Sequence, residues 1–253
     1  MKRLVILIAM AMLAASPASA EETRLVIRAL TQDAKFIGTG MTGMRVIVED
    51  ADTGEILDQG VTRGATGNTA RILLEPKARY GAISDETSAA YVAKLDLAEP
   101  RRIRVTVRGP IAQPQVGAEA SSVRWVLPGK HVEGGDGWLL IVPGFAVDIL
   151  SPGAHTYVND APAEMTVTAN VVMICGCPTM PGGTWDADQI EIIAQLRYEG
   201  ETFASLPMTY AGEASRYSVS LPVKGKGAHE VLVTAFDART GNSGVDRTSF
   251  VVR

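Results

Sequence analysis

The sequence predicts an all-β fold of two β-sandwich domains that follow a cleaved signal peptide. Short runs rich in valine, isoleucine and threonine recur along the chain, with glycine, proline or asparagine turns between them. No run of helix length shows an amphipathic pattern, and no internal repeat appears. We therefore divide the chain into a signal peptide (1–20), an N-terminal sandwich (21–150), a linker (151–163) and a C-terminal sandwich (164–253).

The first twenty residues have the three parts of a secretory signal. Lys2 and Arg3 supply the positive region, and an apolar run without charge covers residues 4–15. The small residues Ala18 and Ala20 then stand at the positions that signal peptidase requires. The apolar run is shorter than the roughly 20 residues that a membrane helix needs. We expect a soluble periplasmic protein with no membrane span after cleavage.

The charge balance argues against two classes of partner. The chain has 24 basic and 28 acidic residues, and the signal peptide holds two of the basic ones, so the net charge falls from −4 to −6. Nucleic acids and anionic membranes both require clustered lysine and arginine, whereas charges of both signs are scattered here. The expected partner is another periplasmic or envelope protein.

The N-terminal region reads as a series of strands. Residues 23–30 and 43–50 are β-branched runs, and Asp52-Thr53-Gly54 marks a hairpin turn. Residues 69–76 continue the pattern. In residues 102–108 three aliphatic side chains alternate with polar ones, as in a sandwich strand with one buried and one solvent-exposed face. Residues 84–100 are compatible with either a helix or a strand.

Further along the chain, residues 138–150 are strongly apolar, but Pro143 and Gly144 divide them into two short strands. The next twelve residues hold two prolines and several small polar residues, which is typical of a linker. A second β series follows, in five runs that end at the last residue. They cover residues 164–174, 189–200, 215–223, 229–244 and 246–253.

Two stretches resemble known domain families. Residues 231–252, VLVTAFDARTGNSGVDRTSFVV, resemble the last two strands of bacterial immunoglobulin-like extracellular domains, where a strand ends in Ala-x-Asp and turns through Gly-Asn. Residues 43–67 resemble the first hairpin of carboxypeptidase-regulatory-like or transthyretin-like sandwiches. The resemblances imply an immunoglobulin-like sandwich fold and carry no activity, because these motifs reflect sandwich geometry.

Both cysteines of the chain lie in one short segment, VVMICGCPTMPGGTWD (171–186). Side chains two residues apart on an extended chain share a face, so Cys175, Cys177 and Met173 are expected to project together. Gly176 lets the two sulfurs converge, and the turn at 181–183 brings Met180 back toward them. The segment predicts a site of two thiolates and up to two thioethers at a strand end.

Three interpretations of this segment remain open. Soft sulfur ligands select Cu(I), and His155 is the first choice for an added ligand, whereas a zinc site usually needs four cysteines or histidines. Oxidation in the periplasm favours a Cys-x-Cys disulfide, which is suited to thiol exchange when it is easily reduced. The third interpretation is a disulfide that only fixes the loop.

The sequence contains no motif for catalysis. It lacks Gly-x-Ser-x-Gly, a phosphate-binding loop and the His-Glu-x-x-His zinc motif, so no catalytic residue is predicted and the protein is not expected to be an enzyme. Asp186 and Asp188 are more typical of a solvated turn than of a cation site, because the spacing of a calcium loop is incomplete.

These observations lead to two function hypotheses of different classes. The first is a periplasmic accessory protein that binds or delivers copper through Cys175 and Cys177, with Met173 and Met180 as thioether partners. The second is a non-catalytic interaction or scaffolding module with a structural disulfide, or a thiol–disulfide partner protein. Copper, as Cu(I), is the expected cofactor under the first hypothesis, and none is expected under the second.

Overall fold

A computed structural model describes residues 19–159 and 162–253. Its regular secondary structure is almost entirely strand, with only short helical turns besides, so the predicted all-β class is confirmed. The predicted signal peptide falls on residues 1–20, of which 1–18 lie outside the described part. Within the described ranges, no helix has the length and apolar character that a membrane crossing needs.

Seven strands form two sheets in the first half of the chain, in the orders β4-β1-β7 and β3-β2-β5-β6. These strands are β1 (Glu21–Thr31), β2 (Arg45–Asp50), β3 (Ile56–Val61), β4 (Tyr91–Leu97), β5 (Arg101–Gly109), β6 (Ala118–Val126) and β7 (Trp138–Val142). Their inward side chains alternate with exposed ones, as in β5, where Ile103, Val105 and Val107 are fully buried. This alternation is the one that the sequence predicts.

Nine strands form the two sheets of the second half, in the orders β13-β14-β10-β8 and β12-β11-β15-β16-β9. They are β8 (Phe145–Ser151), β9 (Thr156–Val158), β10 (Glu164–Met173), β11 (Glu191–Tyr198), β12 (Glu201–Pro207), β13 (Thr209–Tyr210), β14 (Arg216–Pro222), β15 (Gly227–Asp237) and β16 (Asn242–Val252). The ladders are antiparallel except for β9, which runs parallel to β16.

The change from one pair of sheets to the other occurs earlier than the predicted linker. Residues 138–150 do form two strands divided at Pro143-Gly144, but β7 pairs with β1 whereas β8 pairs with β10. The segment predicted as linker, 151–163, contributes β9 to the second pair of sheets. The change of sheet therefore falls at Pro143-Gly144, the two residues between β7 and β8.

Two local predictions have different outcomes. Residues 91–97 form strand β4, with Ala93 and Leu95 buried and Val92 exposed, so the extended alternative for this segment is confirmed. Residues 69–76, predicted as part of the strand pattern, instead contain a π-helical turn at Ala70–Leu74. This turn buries Ile72 in a small separate cluster with Phe36, while Leu74 at its end stays exposed.

The cysteine hairpin as candidate functional site

The cysteines lie at the tip of a tight hairpin that follows β10, which we call the cysteine hairpin (172–178). The amide N–H of Gly176 donates to the carbonyl oxygen of Met173 at 2.7 Å, and the amide of Met173 donates to the carbonyl oxygen of Cys177 at 3.0 Å. Gly176 has φ +82°, the left-handed conformation that a three-residue hairpin loop requires at its end. The glycine between the cysteines is therefore explained by the turn.

Cys175 and Cys177 form a disulfide, with their Cα atoms 5.5 Å apart. The sulfurs converge as the sequence predicts. Both residues are buried, with only 2% and 5% of their surface exposed, and both belong to the main apolar core. The sulfurs therefore lie in the apolar core, where the hairpin tip packs against Met41.

The first sandwich contacts the hairpin through Met41, at the end of a short 3₁₀ helix (Thr39–Met41). A Cβ atom at Gly176 would lie 3.0 Å from Met41 Sδ and 3.2 Å from its Cγ. Gly176 is thus required both by its backbone conformation and by this close approach. The sequence gives no signal for the contact, because more than a hundred residues separate the two partners.

The two methionines predicted as ligands have different positions. Met173 is buried at the end of β10, and its backbone pairs with Cys177, so the two side chains lie on the same side of the hairpin. Met180 opens a separate turn, in which its carbonyl oxygen accepts from Gly183 N, and its thioether lies beside Gly183.

The segment after the hairpin, which we call the Trp185 loop (179–190), is held by its own side chains. Thr179 Oγ1 donates to the carbonyl oxygen of Val171 at 2.7 Å and lies 2.7 Å from Tyr217 Oη. The Asp186 carboxylate accepts from the amides of Gly182 and Asp188 at 2.9 and 3.1 Å. This geometry supports the turn interpretation of the acidic pair, since Asp186 closes the loop.

Trp185 attaches this loop to the first sandwich. Its indole Nε1 donates to the carbonyl oxygen of Asp33 at 2.9 Å, and only 9% of its surface is exposed. Burial and the nearby Asp237 carboxylate raise the pKa of Asp33, whereas the Arg239 guanidinium opposes that rise. The pKa of Asp237 itself is lowered, chiefly because Arg239 Nε and Nη2 donate to its carboxylate at 3.0 and 2.7 Å.

Asn242 adds a buried bridge next to this contact. Its side-chain amide donates to the carbonyl oxygen of Gln32 at 3.1 Å, while its Oδ1 accepts from Gly144 N at 2.8 Å. The Gln32 side chain in turn donates to the carbonyl oxygen of Thr240. We call the contacts of Met41, Asp33 and Gln32 with the second sandwich the junction.

The structure does not bring a histidine to the cysteines. Across the described ranges, no group of three or more His, Cys, Asp or Glu side chains has a geometry suited to a metal ion. The backbone amide of His155 donates to the carbonyl oxygen of Ser249 on β16. The part of β16 near the cysteine hairpin is at Ser243, six residues away, because Ser243 and Ile174 both lie against Gly144. This separation is about 20 Å at 3.3 Å per residue. The prediction of His155 as an added ligand is therefore wrong.

Comparisons with known proteins identify no family. No family model and no curated protein matches the chain. Solved structures that match include fibronectin(III)-like modules of Clostridium thermocellum CbhA, at 15% identity and TM-score 0.29, covering 94% of this chain and 92% of theirs. CopC from Methylosinus trichosporium OB3b matches at 15% identity and TM-score 0.29, over 42% of this chain and 92% of its own.

An engineered protein also matches, at 16% identity and TM-score 0.33, over 51% of this chain. The present chain spans only 24% of the length of that protein. These matches identify no specific protein. At TM-scores this low, the fold rests on the strand pairing of the chain itself.

Proposed function

We propose that this protein is a non-catalytic interaction module of the periplasm, in which the cysteine hairpin fixes two β-sandwiches in one arrangement. The observation that carries the proposal is the junction. A buried disulfide shapes the hairpin tip, the tip packs against Met41, and the adjacent Trp185 donates to Asp33. A binding protein with two fixed sandwiches presents its loops and outer sheet faces to a partner in a defined geometry.

The burial of the cysteines favours this role over delivery of a metal ion. Ligand exchange with a recipient protein requires sulfur atoms that the recipient can reach, whereas Cys175 and Cys177 lie in the core. Periplasmic oxidation stabilises such a disulfide, and burial protects it from thiols in solution.

The test is the double variant Cys175→Ala, Cys177→Ala. A disulfide that closes so short a loop contributes about 1–2 kcal/mol by the chain-entropy relation. We expect the melting temperature to fall by about 3–6 °C for a protein of this size. Wild-type protein unfolded in the presence of a reductant should show the same fall, which provides a matched control without a mutation. An unchanged melting temperature in both would contradict the structural role.

Copper binding is a second candidate, because three sulfur atoms surround Gly176 once the disulfide is reduced. Two-electron reduction yields the thiols of Cys175 and Cys177, and the thioether of Met41 lies next to Gly176, the residue between them. Met173 shares the side of Cys177 on the hairpin, whereas Met180 lies against Gly183. Such soft donors suit Cu(I).

The copper candidate is tested by anaerobic titration of pre-reduced protein with Cu(I) against a chromophoric chelator. The copper hypothesis predicts one tight equivalent for the wild type and none for the Cys175→Ala, Cys177→Ala variant. Weaker binding in Met41→Leu, with Met180→Leu unchanged, would assign the thioether ligand to Met41. Failure of the wild type to compete with the chelator leaves the interaction module as the only candidate.

A further inference from the structure

An open cleft of about 370 Å³ lies at one end of the first sandwich, far in sequence from the cysteine hairpin. The hairpin turn between β2 and β3, the turn before β5 and the end of β6 form its walls. The side chains that concern us are those of Trp125, Asp52, Arg102, Arg101 and Glu99. The cleft volume falls in the range of about 300–1,000 Å³ that is typical of small-molecule sites.

Trp125 is the unusual residue in this cleft. Val126 turns inward and is buried, so the strand alternation points Trp125 outward, and 66% of its surface is exposed. Indole rings are largely buried in most proteins, and an exposed one offers a large apolar face at low entropic cost. β6 is the edge strand of its sheet, with Arg102 of β5 directly opposite Trp125.

Both guanidinium groups beside Trp125 are already paired with carboxylates. Arg102 Nη1 lies 2.8 Å from Asp52 Oδ1, and Arg101 Nη1 lies 3.6 Å from Asp50 and 3.8 Å from Glu55. Together with Glu99, the cleft holds four carboxylates and two guanidinium groups, so an anionic ligand would meet net repulsion. A cationic ligand would have to compete with the two arginines for carboxylates that are already paired. The cleft instead presents carboxylate acceptors and guanidinium donors side by side, next to an apolar ring.

The turn that carries these acceptors is held rigidly. Asp50 accepts from the backbone amides of Asp52 and Thr53 at 2.9 and 3.0 Å, and these hydrogen bonds lower the pKa of its carboxyl. The amide of Glu55 donates to Thr53 Oγ1 at 3.2 Å. The positions of the acceptors are therefore set before any ligand binds, which reduces the entropy cost of binding.

We propose that this cleft binds a neutral saccharide, stacked on Trp125 and hydrogen-bonded by Asp52 and Arg102. A sugar hydroxyl both donates and accepts, so neighbouring hydroxyls match an adjacent carboxylate and guanidinium. The aliphatic face of a pyranose ring matches the exposed indole, and an uncharged ligand leaves the ion pairs of the cleft intact.

Tryptophan fluorescence provides a direct readout. Trp138 is fully buried and Trp185 nearly so, which leaves Trp125 as the tryptophan that a ligand in solution reaches. Protein from residue 21 to the last residue is titrated separately with maltopentaose, cellopentaose and chitopentaose while its fluorescence is recorded. Calorimetry then measures the affinity for each saccharide that changes the fluorescence. We expect saturable binding of at least one of them at millimolar concentration, with a blue shift of the emission.

Variants separate the cleft from the rest of the surface. Trp125→Ala should weaken binding at least ten-fold, and Asp52→Asn several-fold, with circular dichroism confirming the fold of each. Tyr80→Ala is the matched control, because Tyr80 is an aromatic residue with 82% exposure outside the cleft, and it should bind as the wild type does. Calorimetry measures the affinity of every variant, because Trp125→Ala lacks the fluorescent reporter.

Three outcomes would overturn the proposal. The first is the absence of saturable binding of all three saccharides at millimolar concentration. The second is an affinity in Trp125→Ala equal to that of the wild type. The third is tighter, salt-dependent binding of polygalacturonate, which would make the site one for anionic ligands.

Discussion

The cysteine hairpin and the Trp125 cleft contrast in how their chemistry is placed. The hairpin carries the most reactive side chains of the chain, yet both sulfurs are joined and buried, and the neighbouring Trp185 has its indole N–H bonded to Asp33. Trp125 has no such cover and stands beside solvated ion pairs. The comparison teaches that the cysteines stabilise the junction in this protein, whereas the accessible surface is formed by an exposed indole and charged side chains.

The largest expected effect is the difference in stability cost between removing the buried Trp185 and removing the exposed Trp125. Trp185→Ala removes a packed indole and leaves the Asp33 carbonyl without its donor, so we expect a loss of about 3–5 kcal/mol in the free energy of unfolding. Trp125→Ala removes a side chain that is mostly in water, and its cost should stay below about 0.5 kcal/mol. Denaturant unfolding of both variants measures the difference, and equal losses would contradict the contrast.

A smaller effect is expected at the tip of the hairpin. Gly176→Ala places a Cβ in a left-handed conformation and against Met41 Sδ, so it should cost about 1–3 kcal/mol. Gly182→Ala is a matched control, because Gly182 has φ +66° but no atom within 4 Å of its Cβ position. The excess cost at Gly176 reports the contact with the first sandwich, and it should shrink in a Met41→Ala background. Equal costs for the two glycine variants would argue against that contact.

The smallest effect concerns the charge of Asp33. Its pKa is raised in the folded protein, so the folded state binds this proton more tightly than the unfolded state does. Stability from this group is therefore gained as the pH falls through the raised pKa, and the ionised carboxyl is unfavourable at neutral pH. Asp33 is exposed at the surface, so solvent screening keeps this effect small, and Asp33→Asn should stabilise the protein at pH 7 by well under about 1 kcal/mol. Asparagine tolerates the φ of +56° at this position.

The pH dependence checks the cause. The advantage of Asp33→Asn should decrease as the pH is lowered and the wild-type carboxyl becomes protonated. Asp96→Asn, on the exposed face of β4, serves as the control and should change stability little at any pH. A destabilised Asp33→Asn at pH 7 would show that the attraction of Arg239 outweighs burial.

Strand periodicity was sufficient to predict the fold class, because the alternation of apolar and polar side chains in segments such as β5 follows directly from one buried and one solvent-exposed face. The start of the second sandwich was not predictable in the same way, since Phe145–Ser151 reads as a strand in either domain and only pairing with β10 assigns it. The convergence of Cys175 and Cys177 follows from their spacing and from Gly176. Their burial depends on Met41 and Trp185 contacts between distant parts of the chain, which no local pattern encodes.

The most direct test of the structural role of the hairpin region is hydrogen exchange across the junction in Trp185→Phe. Phenylalanine keeps most of the ring packing but removes the N–H that binds the Asp33 carbonyl. We predict that the amides of Gln32 and Ala34, which bond to Val142 and Thr31, exchange about five-fold faster, since one hydrogen bond contributes about 1 kcal/mol. Amides in the centre of β5 should keep their wild-type rates. Unchanged exchange at Gln32 and Ala34 would contradict the claim that this region holds the two sandwiches together.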